Sequence, residues 1–342
     1  MTTPRRPNIH RVAAEAGVGV GSVSRVLSGS PSVSPAMRKR VDAAIEKLGF
    51  SPNLLAQGLR GASRTVGFVM ADIGNPLFAE IVSGAEAELR AAGYSLLLVN
   101  SENDPEVEAA HIEILLRRKV DGLLLCLASE KHRPTLALLN DCDRSLVAVD
   151  RELVLTRPVG RVASDHRAGM RAAARHLIER GHRRVAVLLA DNVLPTRARS
   201  RGLSEAYRNR PAGFEYRSVR VQPTHDHAQQ ATAELLDADP SPTALIVGGN
   251  QLLTGALDEL VARRLRIGRD IALVSFDNIP MTRFIPPGIT VVQRDNRELG
   301  RRSAELLLQA IRGAGASPVI NDISLPTELV IRGSSTRRRP QS

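Results

Sequence analysis

Three short stretches near the start of this 342-residue chain have the spacing of apolar residues that is typical of helices. The first covers about residues 9–16 and the second about residues 20–27. The third follows Ser34, a favourable N-cap, and Pro35, which suits the first helical position, and Gly49 can end it in a left-handed conformation. Because a helix as short as the second is not stable alone in water, it must pack on its neighbours. We therefore predict a three-helix domain with a small core.

The second of these helices has two distinct faces. At about 100° per residue, its apolar side is formed by Val23, Val26 and Leu27. If that side packs on the first helix, the outward side is formed by Val20, Gly21, Ser24 and Arg25. This is the geometry of a helix-turn-helix, whose second helix lies in the major groove of DNA. The residues of this helix that we predict to contact DNA are Val20, Gly21, Ser22, Ser24 and Arg25.

The distribution of charge agrees with a nucleic acid as partner. The formal net charge is +11, but it is concentrated at the two ends of the chain. Residues 1–61 contain nine Lys or Arg and three acids, a formal charge of +6, and residues 332–342 add +4. The long middle therefore carries only +1. Basic charge that coincides with a helical pattern indicates a DNA-binding face, whereas the basic tail, residues 335–342, is expected to be solvated and disordered.

Several motifs together resemble the lactose-repressor (LacI/GalR) family of bacterial transcription regulators, and the similarity covers essentially the whole chain. They are Val12-Ala13, Ala16-Gly17-Val18, Val23-Ser24-Arg25-Val26-Leu27, Val33-Ser34-Pro35 and Leu48-Gly49-Phe50-Ser51-Pro52-Asn53. The chain departs from the family at Gly19, where Ser, Thr or Asn is usual, and at Gly21, where a larger residue is usual. Since Gly21 has no side chain to contact a base, direct readout rests more on Val20 and Arg25.

The resemblance also assigns a role to the segment that follows the three-helix domain, which we call the head. Residues 1–52 would form the head and residues 53–61 a hinge helix that folds when two chains meet on DNA. Asn53, Ala56 and Leu59 would then contact DNA, with Leu59 wedged between base pairs in the minor groove, where an apolar side chain kinks the duplex. The alternative is a flexible linker in which Leu59 is merely an exposed leucine.

From residue 64 onward, short apolar runs alternate with amphipathic helical patterns. The runs fit buried parallel strands, and the alternation predicts an α/β fold of doubly wound parallel sheets. We expect a two-lobed core of the periplasmic-binding-protein type over residues 62–334. Lobe 1 would cover about 62–160 and lobe 2 about 161–290, and the family pattern returns residues 291–331 to lobe 1. A cleft between the lobes is the natural ligand site.

Five residues are predicted to bind a small-molecule effector in that cleft. Leu77 and Phe78 follow the first strand and open a helix, and Asp277 ends a later strand. The resemblance implies that Leu77, Phe78, Arg197 and Asp277 touch the ligand, and Asp150 is a further candidate. An Arg and an Asp suit a sugar or another small polar metabolite. The alternative is that Arg197 and Asp277 only pair with each other across the lobes.

The other motifs in the sequence do not indicate a cofactor-binding, metal-binding or catalytic site, because the residues around them do not fit one. The glycines at 17, 19 and 21 resemble a dinucleotide loop, but no strand precedes them and their spacing is wrong. His225-Asp226-His227 is interpreted as a loop, not as a metal site. No set of nucleophile, base and orienting acid is evident, so we expect neither an enzyme nor a cofactor or metal.

No apolar run reaches eighteen residues and no secretory signal pattern is present, so we expect no contact with a membrane. The two cysteines, Cys126 and Cys142, are interpreted as reduced packing residues. These observations predict a cytoplasmic, nucleoid-associated protein.

We therefore predict a homodimeric repressor that binds near-palindromic double-stranded operator DNA under the control of an effector. The sequence leaves open whether the effector releases DNA or strengthens its binding. The alternatives are a solute receptor, or a sugar-modifying enzyme, with the same two-lobed core.

Overall fold

The computed structural model describes residues 7–27, 30, 32–50, 63–190, 193–208, 213–313 and 321–336. The chain divides into two compact units, Met1–Ser63 and Arg64–Ser342, and each is described separately below. The predicted hinge contacts Asn53, Ala56 and Leu59, and residues 337–342 of the predicted basic tail, lie outside the described residues. The tail was predicted to begin at residue 335, but Ser335 is buried and its hydroxyl bonds to His176 and Thr290, so it belongs to the folded core. No helix in the described part of the chain is long and apolar enough to cross a membrane.

The first unit contains the three predicted helices, which are α1 (Ile9–Ala16), α2 (Val20–Leu27) and α3 (Pro35–Leu48). The Asn8 side chain caps α1 by accepting a hydrogen bond from the amide of Arg11. At α3, Ser34 accepts one from the amide of Met37, and Gly49 ends the helix at a φ of 57°. The capping residues therefore bound these helices where sequence reasoning places them.

The three helices share one small apolar core. Its buried members are Val12, Ala13, Ala16, Val23, Val26, Val41 and Ala44. Glu15 and Lys47, whose carboxylate and ammonium groups are 2.7 Å apart, join α1 to α3 at the surface. Most of the stability of this unit must come from the apolar core, because an exposed ion pair contributes little.

The second unit contains two lobes, each built on a six-stranded sheet. The first sheet has the order β11-β5-β4-β3-β1-β2, and all of its strands are parallel. Its strands are β1 (Thr65–Met70), β2 (Ser95–Asn100), β3 (Gly122–Cys126), β4 (Ser145–Val149), β5 (Gly160–Ser164) and β11 (Asp322–Leu325). Its helices are α4 (Pro76–Ala91), α5 (Pro105–Arg117), α6 (Arg133–Asp141) and α12 (Asn296–Arg312).

Helices cover both faces of this first sheet. In β1, Phe68 and Met70 pack on one side with residues of α4 and α12, whereas Val69 packs on the other side with residues of α5 and α6. Buried contacts that alternate along a strand in this way are expected for a doubly wound sheet.

The second sheet has the order β12-β10-β9-β8-β6-β7, and only β12 runs antiparallel to its neighbour. Its strands are β6 (Arg184–Leu189), β7 (Glu215–Arg220), β8 (Ala244–Gly248), β9 (Ala272–Phe276), β10 (Thr290–Arg294) and β12 (Thr327–Val330). Its helices are α7 (His166–Glu179), α8 (Leu194–Arg208), α9 (His225–Leu236), α10 (Asn250–Ala262) and the short α11 (Met281–Phe284), and a 3₁₀ turn follows at Gly333–Ser335.

The predicted boundaries between the lobes need correction. Residues 161–164 belong to β5 in the first sheet, not to lobe 2, because β5 pairs with β4 and β11. Conversely, residues 291–294 and 327–330 belong to β10 and β12 in the second sheet. From the predicted segment 291–331, the first lobe receives only α12 and β11. The chain therefore crosses between the lobes three times, near Asp165, Asp295 and Pro326.

α12 packs tightly on α4 of the first lobe through two glycines. A Cβ at Gly84 would overlap the carbonyl of Arg297, and one at Gly300 would overlap the carbonyl of Ile81. This close approach fixes α12 against the first lobe, to which the chain returns at the second crossing.

Some elements escaped sequence prediction. The motif His225-Asp226-His227 is not a loop but the first turn of α9, capped by Thr224, whose hydroxyl accepts from the amide of His227. A helical amphipathic pattern begins only at Ala228, so the polar first turn gave no signal. The apolar run at 219–221 predicts a strand, but β7 begins four residues earlier, in a largely exposed segment without an apolar pattern. A helix is expected after residues 196–199, but α8 already begins at Leu194.

Candidate functional site

A cavity of about 220 Å³ lies between the two lobes of the second unit. Its walls include residues that directly follow strands: Ala71 after β1, Asp150 after β4, Ala190 after β6, Gly249 after β8 and Asp277 after β9. Ligands of open α/β sheets bind outside the carboxyl ends of the strands. The cavity is therefore the candidate ligand site, in the predicted place.

Four of the five predicted effector residues line this cavity: Leu77, Phe78, Asp150 and Asp277. Asn75 caps α4 and accepts a hydrogen bond from the amide of Leu77, so the first turn of that helix presents the two apolar side chains. Both are buried. They form an apolar part of the wall.

The fifth prediction, Arg197, is wrong in its placement. Arg197 does not line the cavity, and its guanidinium instead contacts Glu130 at 2.5 Å and Glu152 at 2.8 Å, both in the first lobe. The cavity-lining arginine is Arg199. Residues that are two positions apart in a helix are separated by about 200° around its axis, so the side chains of Arg197 and Arg199 point in nearly opposite directions. Thr196, three residues before Arg199, also lines the cavity, and this spacing is the signal that could have identified Arg199.

Arg199 is buried and held by three groups of the core. It donates to the carbonyl of Gly248 at 2.7 Å and to Nδ1 of His166 at 3.2 Å. Its guanidinium also lies 4.1 Å from the ring centroid of Phe276. Burial lowers the pKa of Arg199 to about 10, although the negative charge of Asp277 opposes this shift. The side chain is therefore still a cation at neutral pH.

Asp277 pairs with Arg294, not with Arg197 as the alternative prediction proposed. The Nε of Arg294 lies 2.7 Å from Asp277, and its Nη1 lies 2.5 Å from Asp150 in the other lobe. All three side chains are nearly inaccessible. Burial opposes the charge of Arg294, but the two carboxylates together raise its pKa above the ordinary value. Sequence reasoning missed Arg294, because nothing local distinguishes it from the other arginines.

His166 joins the two charged groups of the network. Its Nδ1 accepts from Arg199, so the proton of the neutral ring is on Nε2, which lies 3.2 Å from Asp150 without hydrogen-bond geometry. Burial, together with Arg199, lowers the pKa of His166 to about 4, so the ring is neutral at pH 7. Burial alone would raise the pKa of Asp150, but His166 and Arg294 more than reverse this and hold it well below its usual range.

Two amide contacts close the rim of the cavity between the lobes. The amide of Asn250 donates to the Asn75 side chain at 3.0 Å, and that of Gln251 donates to Asp72 at 2.6 Å. Asn75 and Asp72 belong to the first lobe, and Asn250 and Gln251 to the second. The cavity is thus formed only when both lobes contribute.

In the first unit, α2 presents the side chains predicted to face DNA, with one difference. Gly21 and Arg25 are exposed, and Ser22 and Ser24 are partly exposed. Val20 is not fully outward, because it is half-buried and packs against the apolar core. Arg25 donates to the carbonyl of Gly21 at 3.3 Å and to the Ser22 hydroxyl at 3.4 Å. No atom lies within 4 Å of the position that a Cβ at Gly21 would take.

The His225 side chain in the motif His225-Asp226-His227 is engaged by two carboxylates. His225 bonds to the carboxylates of Asp226 and Asp258, at 2.9 and 2.7 Å. Within the described ranges, no group of three or more His, Cys, Asp or Glu side chains is arranged to hold a metal ion. Cys126 and Cys142 are both free thiols.

Two family models match this chain. Residues 63–332 match the family described as periplasmic binding proteins and sugar binding domain of LacI family, and residues 8–53 match bacterial regulatory proteins, lacI family. The HTH-type transcriptional regulator CelR of Thermobifida fusca is 34% identical over 345 residues, covering 98% of this chain and 100% of the relative.

Solved structures agree with these matches. A complex of the regulator CelR with cellobiose is 32% identical, with a TM-score of 0.72, and covers 96% of this chain and 100% of the other. The lac repressor dimer bound to operator and the anti-inducer ONPF is 25% identical, with a TM-score of 0.82, and covers 97% and 99%.

Proposed function

Because the chain belongs to the LacI family of bacterial regulatory proteins, we propose that its head binds an operator as one half of a homodimer and that a small polar metabolite in the cleft controls this binding. The protein is a DNA-binding transcription regulator with an effector-binding core. The finer parts of the proposal are the near-palindromic operator, the repressing activity, the dimer and a sugar-like effector.

The observation that carries the proposal is that polar groups from both lobes meet in one cavity. Asp150 belongs to the first lobe, whereas Asp277, Arg199 and Arg294 belong to the second. A ligand that binds there contacts both lobes, so its binding depends on the angle between them. A ligand can shift such an equilibrium only through unequal affinity for the two arrangements.

A sugar-like effector suits the chemistry of this cavity. Leu77 and Phe78 supply an apolar surface, while carboxylates and guanidinium groups offer acceptors and donors to hydroxyl groups. One related structure is described as a complex with cellobiose. We infer a ligand of the same general class here.

The effector part of the proposal is tested by Arg199→Ala and Asp277→Ala. Each variant should retain operator binding, measured by fluorescence anisotropy, and lose the response to the effector. Arg266→Ala is the matched control, since that side chain lies outside the cavity and forms an exposed ion pair with Asp270 within the second lobe. If Arg199→Ala and Asp277→Ala both respond normally, the cavity is not the effector site. The sign of the wild-type response distinguishes an inducer from a co-repressor.

The DNA part is tested by Arg25→Ala in the full chain. We expect the variant to lose preference for the operator over random duplex while keeping weak nonspecific binding, because the other basic residues still contact phosphates. Lys39→Ala, which removes an exposed charge from α3, should weaken both kinds of binding equally. Unchanged discrimination in Arg25→Ala would remove Arg25 from the recognition surface.

A further inference from the structure

One group of contacts joins the two lobes outside the cavity. Glu130, in the loop between β3 and α6 of the first lobe, accepts a hydrogen bond from the amide of Leu194 at 3.0 Å. Its other carboxylate oxygen lies 2.5 Å from Nη1 of Arg197. Leu194 and Arg197 both belong to α8 of the second lobe, so one carboxylate is bound twice across the lobe boundary. None of these three residues lines the cavity.

A second carboxylate of the first lobe also holds Arg197. Nη2 of Arg197 lies 2.8 Å from Glu152, and the amide of Glu152 donates to Glu130 at 2.8 Å. The planar guanidinium of Arg197 therefore contacts two carboxylates that are fixed next to each other. On the far side, Arg161 pairs with Asp322 and lies 3.6 Å from the other oxygen of Glu152. The first lobe thus presents a prearranged acceptor for one cation of the second lobe.

This contact is largely removed from water at its centre. The side chain of Glu130 is 3% exposed and that of Arg197 is 24% exposed. Burial opposes the charge of Arg197, but the hydrogen bonds to Glu130 and Glu152 raise its pKa above the ordinary value. While the lobes touch, loss of the Arg197 cation would leave the Glu130 carboxylate buried without its counter-charge, which is costly. Once the lobes separate, water can hydrate that carboxylate. Removal of Arg197 should therefore favour separation.

The same contact reaches the cavity wall through α8. Thr196 and Arg199, which belong to this helix, line the cavity. Because Glu130 binds the amide of Leu194, the first residue of α8, the helix that carries Arg199 is tied at its start to the opposite lobe. The position of Arg199 relative to the first lobe therefore depends on a contact outside the ligand cavity.

We propose that Glu130 and Arg197 form a latch that keeps the two lobes together whether or not a ligand is bound. The apparent affinity of a ligand that binds the closed arrangement scales with the fraction of molecules in that arrangement. The latch therefore sets the affinity of the effector without contacting it. This consequence rests on the proposed function, whereas the latch itself does not.

The chain contains its own reporter of lobe separation. Cys126 is 2% exposed and lines the cavity, whereas Cys142 is partly exposed and does not line it. Separation of the lobes should expose Cys126 and leave Cys142 as it is. The test therefore measures, by peptide mass spectrometry, the rate at which iodoacetamide alkylates each thiol in the full-length protein without added ligand. Cys142 serves as the internal reference.

Three variants are compared with the wild type. Arg197→Met removes the cation and should raise the ratio of the alkylation rate at Cys126 to that at Cys142 by at least about tenfold. Arg197→Lys keeps the charge without the planar fork and should give an intermediate ratio. Arg171→Met is the matched control, because Arg171 pairs with Glu205 of α8 within the second lobe, and its ratio should equal that of the wild type.

A wild-type ratio in Arg197→Met overturns the latch. Hydrogen exchange provides a second readout, since separated lobes should also accelerate exchange at residues 248–253, on the second-lobe wall of the cavity. If Cys126 reacts faster while exchange there is unchanged, only the loop around Glu130 has loosened, and the latch is again overturned. If Arg197→Met is unfolded, both thiols react faster, and Arg197→Lys then decides, with a wild-type ratio counting against the latch.

The latch and the proposed effector site fail separately. Alkylation of Cys126 is measured without an effector, so a wild-type ratio in the Arg197 variants overturns only the latch. Normal responses of Arg199→Ala and Asp277→Ala to the effector overturn the effector site, and the latch then stands or falls on the alkylation rates alone.

Discussion

In the helical head, the charged side chains lie at the surface, whereas the cleft of the core buries its charges and balances them. Arg11, Arg25, Lys39, Arg40 and Lys47 are all exposed. In the cleft, Arg294, Asp150 and Asp277 are nearly inaccessible and contact one another. The head is therefore suited to a large, highly charged and hydrated partner, while the cleft is suited to a small ligand that enters a prearranged set of charges.

The difference also shows how each site is determined. In the head, the apolar side of α2 packs into the core, so its other side is exposed. The spacing of apolar residues within the helix is therefore enough to identify the exposed side. In the cleft, the charged side chains come from positions 150, 199, 277 and 294, which meet only when the two sheets face each other. The predictions below test this contrast between exposed and buried charge.

The largest expected effect is the response of DNA binding to salt. If the dimeric complex makes about 6–10 phosphate contacts, operator affinity should fall by ~10³–10⁵-fold between 50 and 200 mM salt. Effector affinity should change far less over the same range, since buried charges are weakly screened. Titrations of both ligands at four salt concentrations would measure the two slopes. A flat slope for DNA would contradict the role of the exposed basic residues.

Next in size is the loss of the cation that bridges the lobes. Arg294→Ala leaves Asp150 and Asp277 buried without their shared partner and should lower the free energy of unfolding of the core by about 3–5 kcal/mol. Denaturant unfolding followed by circular dichroism would measure this. The matched control, Arg301→Ala, breaks a partly exposed pair with Glu298 and should cost less than about 1 kcal/mol. Equal losses in the two variants would argue that the cleft network is not energetically distinct from the surface.

A buried carboxyl near the cleft should make the core sensitive to pH. Burial raises the pKa of Glu108 to about 7, although the amide of Ala128 and the charge of Arg151 oppose the shift. Because the folded-state pKa exceeds the unfolded value of 4.5, the folded chain holds this proton more tightly. Its contribution is complete below pH 4.5 and is lost as the pH rises through 7.

The measurement compares Glu108→Gln with the wild type at pH 5 and pH 8. The glutamine keeps an acceptor for Ala128 but does not titrate. The variant should therefore gain stability relative to the wild type as the pH rises, on the order of 3 kcal/mol. Glu113→Gln, at an exposed position on the same helix where the partner is Arg117, is the control. A difference between variant and wild type that does not change with pH would show that Glu108 is ionised throughout.

The smallest effect concerns a helix cap in the head. Ser34→Ala removes the side chain that accepts from Met37 and should destabilise α3 by about 1 kcal/mol. Hydrogen exchange of the α3 amides should accelerate by roughly fivefold, with no change in the core. Ser32→Ala, which removes an exposed hydroxyl outside the helix, should leave exchange unaltered. Faster exchange in the core as well would mean that the two units do not unfold independently.

The sequence by itself determined the three head helices, the alternation of strands and helices, and four residues of the cleft wall. These features depend on local properties, namely capping, the period of apolar residues and position directly after a strand. Strand position places the segments that contain Leu77, Phe78 and Asp277 at one edge of a sheet, and the family resemblance singled out these three residues, with Asp150 as a further candidate.

The tertiary structure alone decided which arginines form the cleft and which strands belong to each lobe. Arg197 and Arg199 are chemically alike and two residues apart, and only the way α8 packs directs Arg199 inward. β10 and β12 could pair with either sheet as far as their composition is concerned. Their assignment depends on hydrogen bonds between strands that are distant in the chain. The local sequence of a strand does not indicate which distant strand it pairs with.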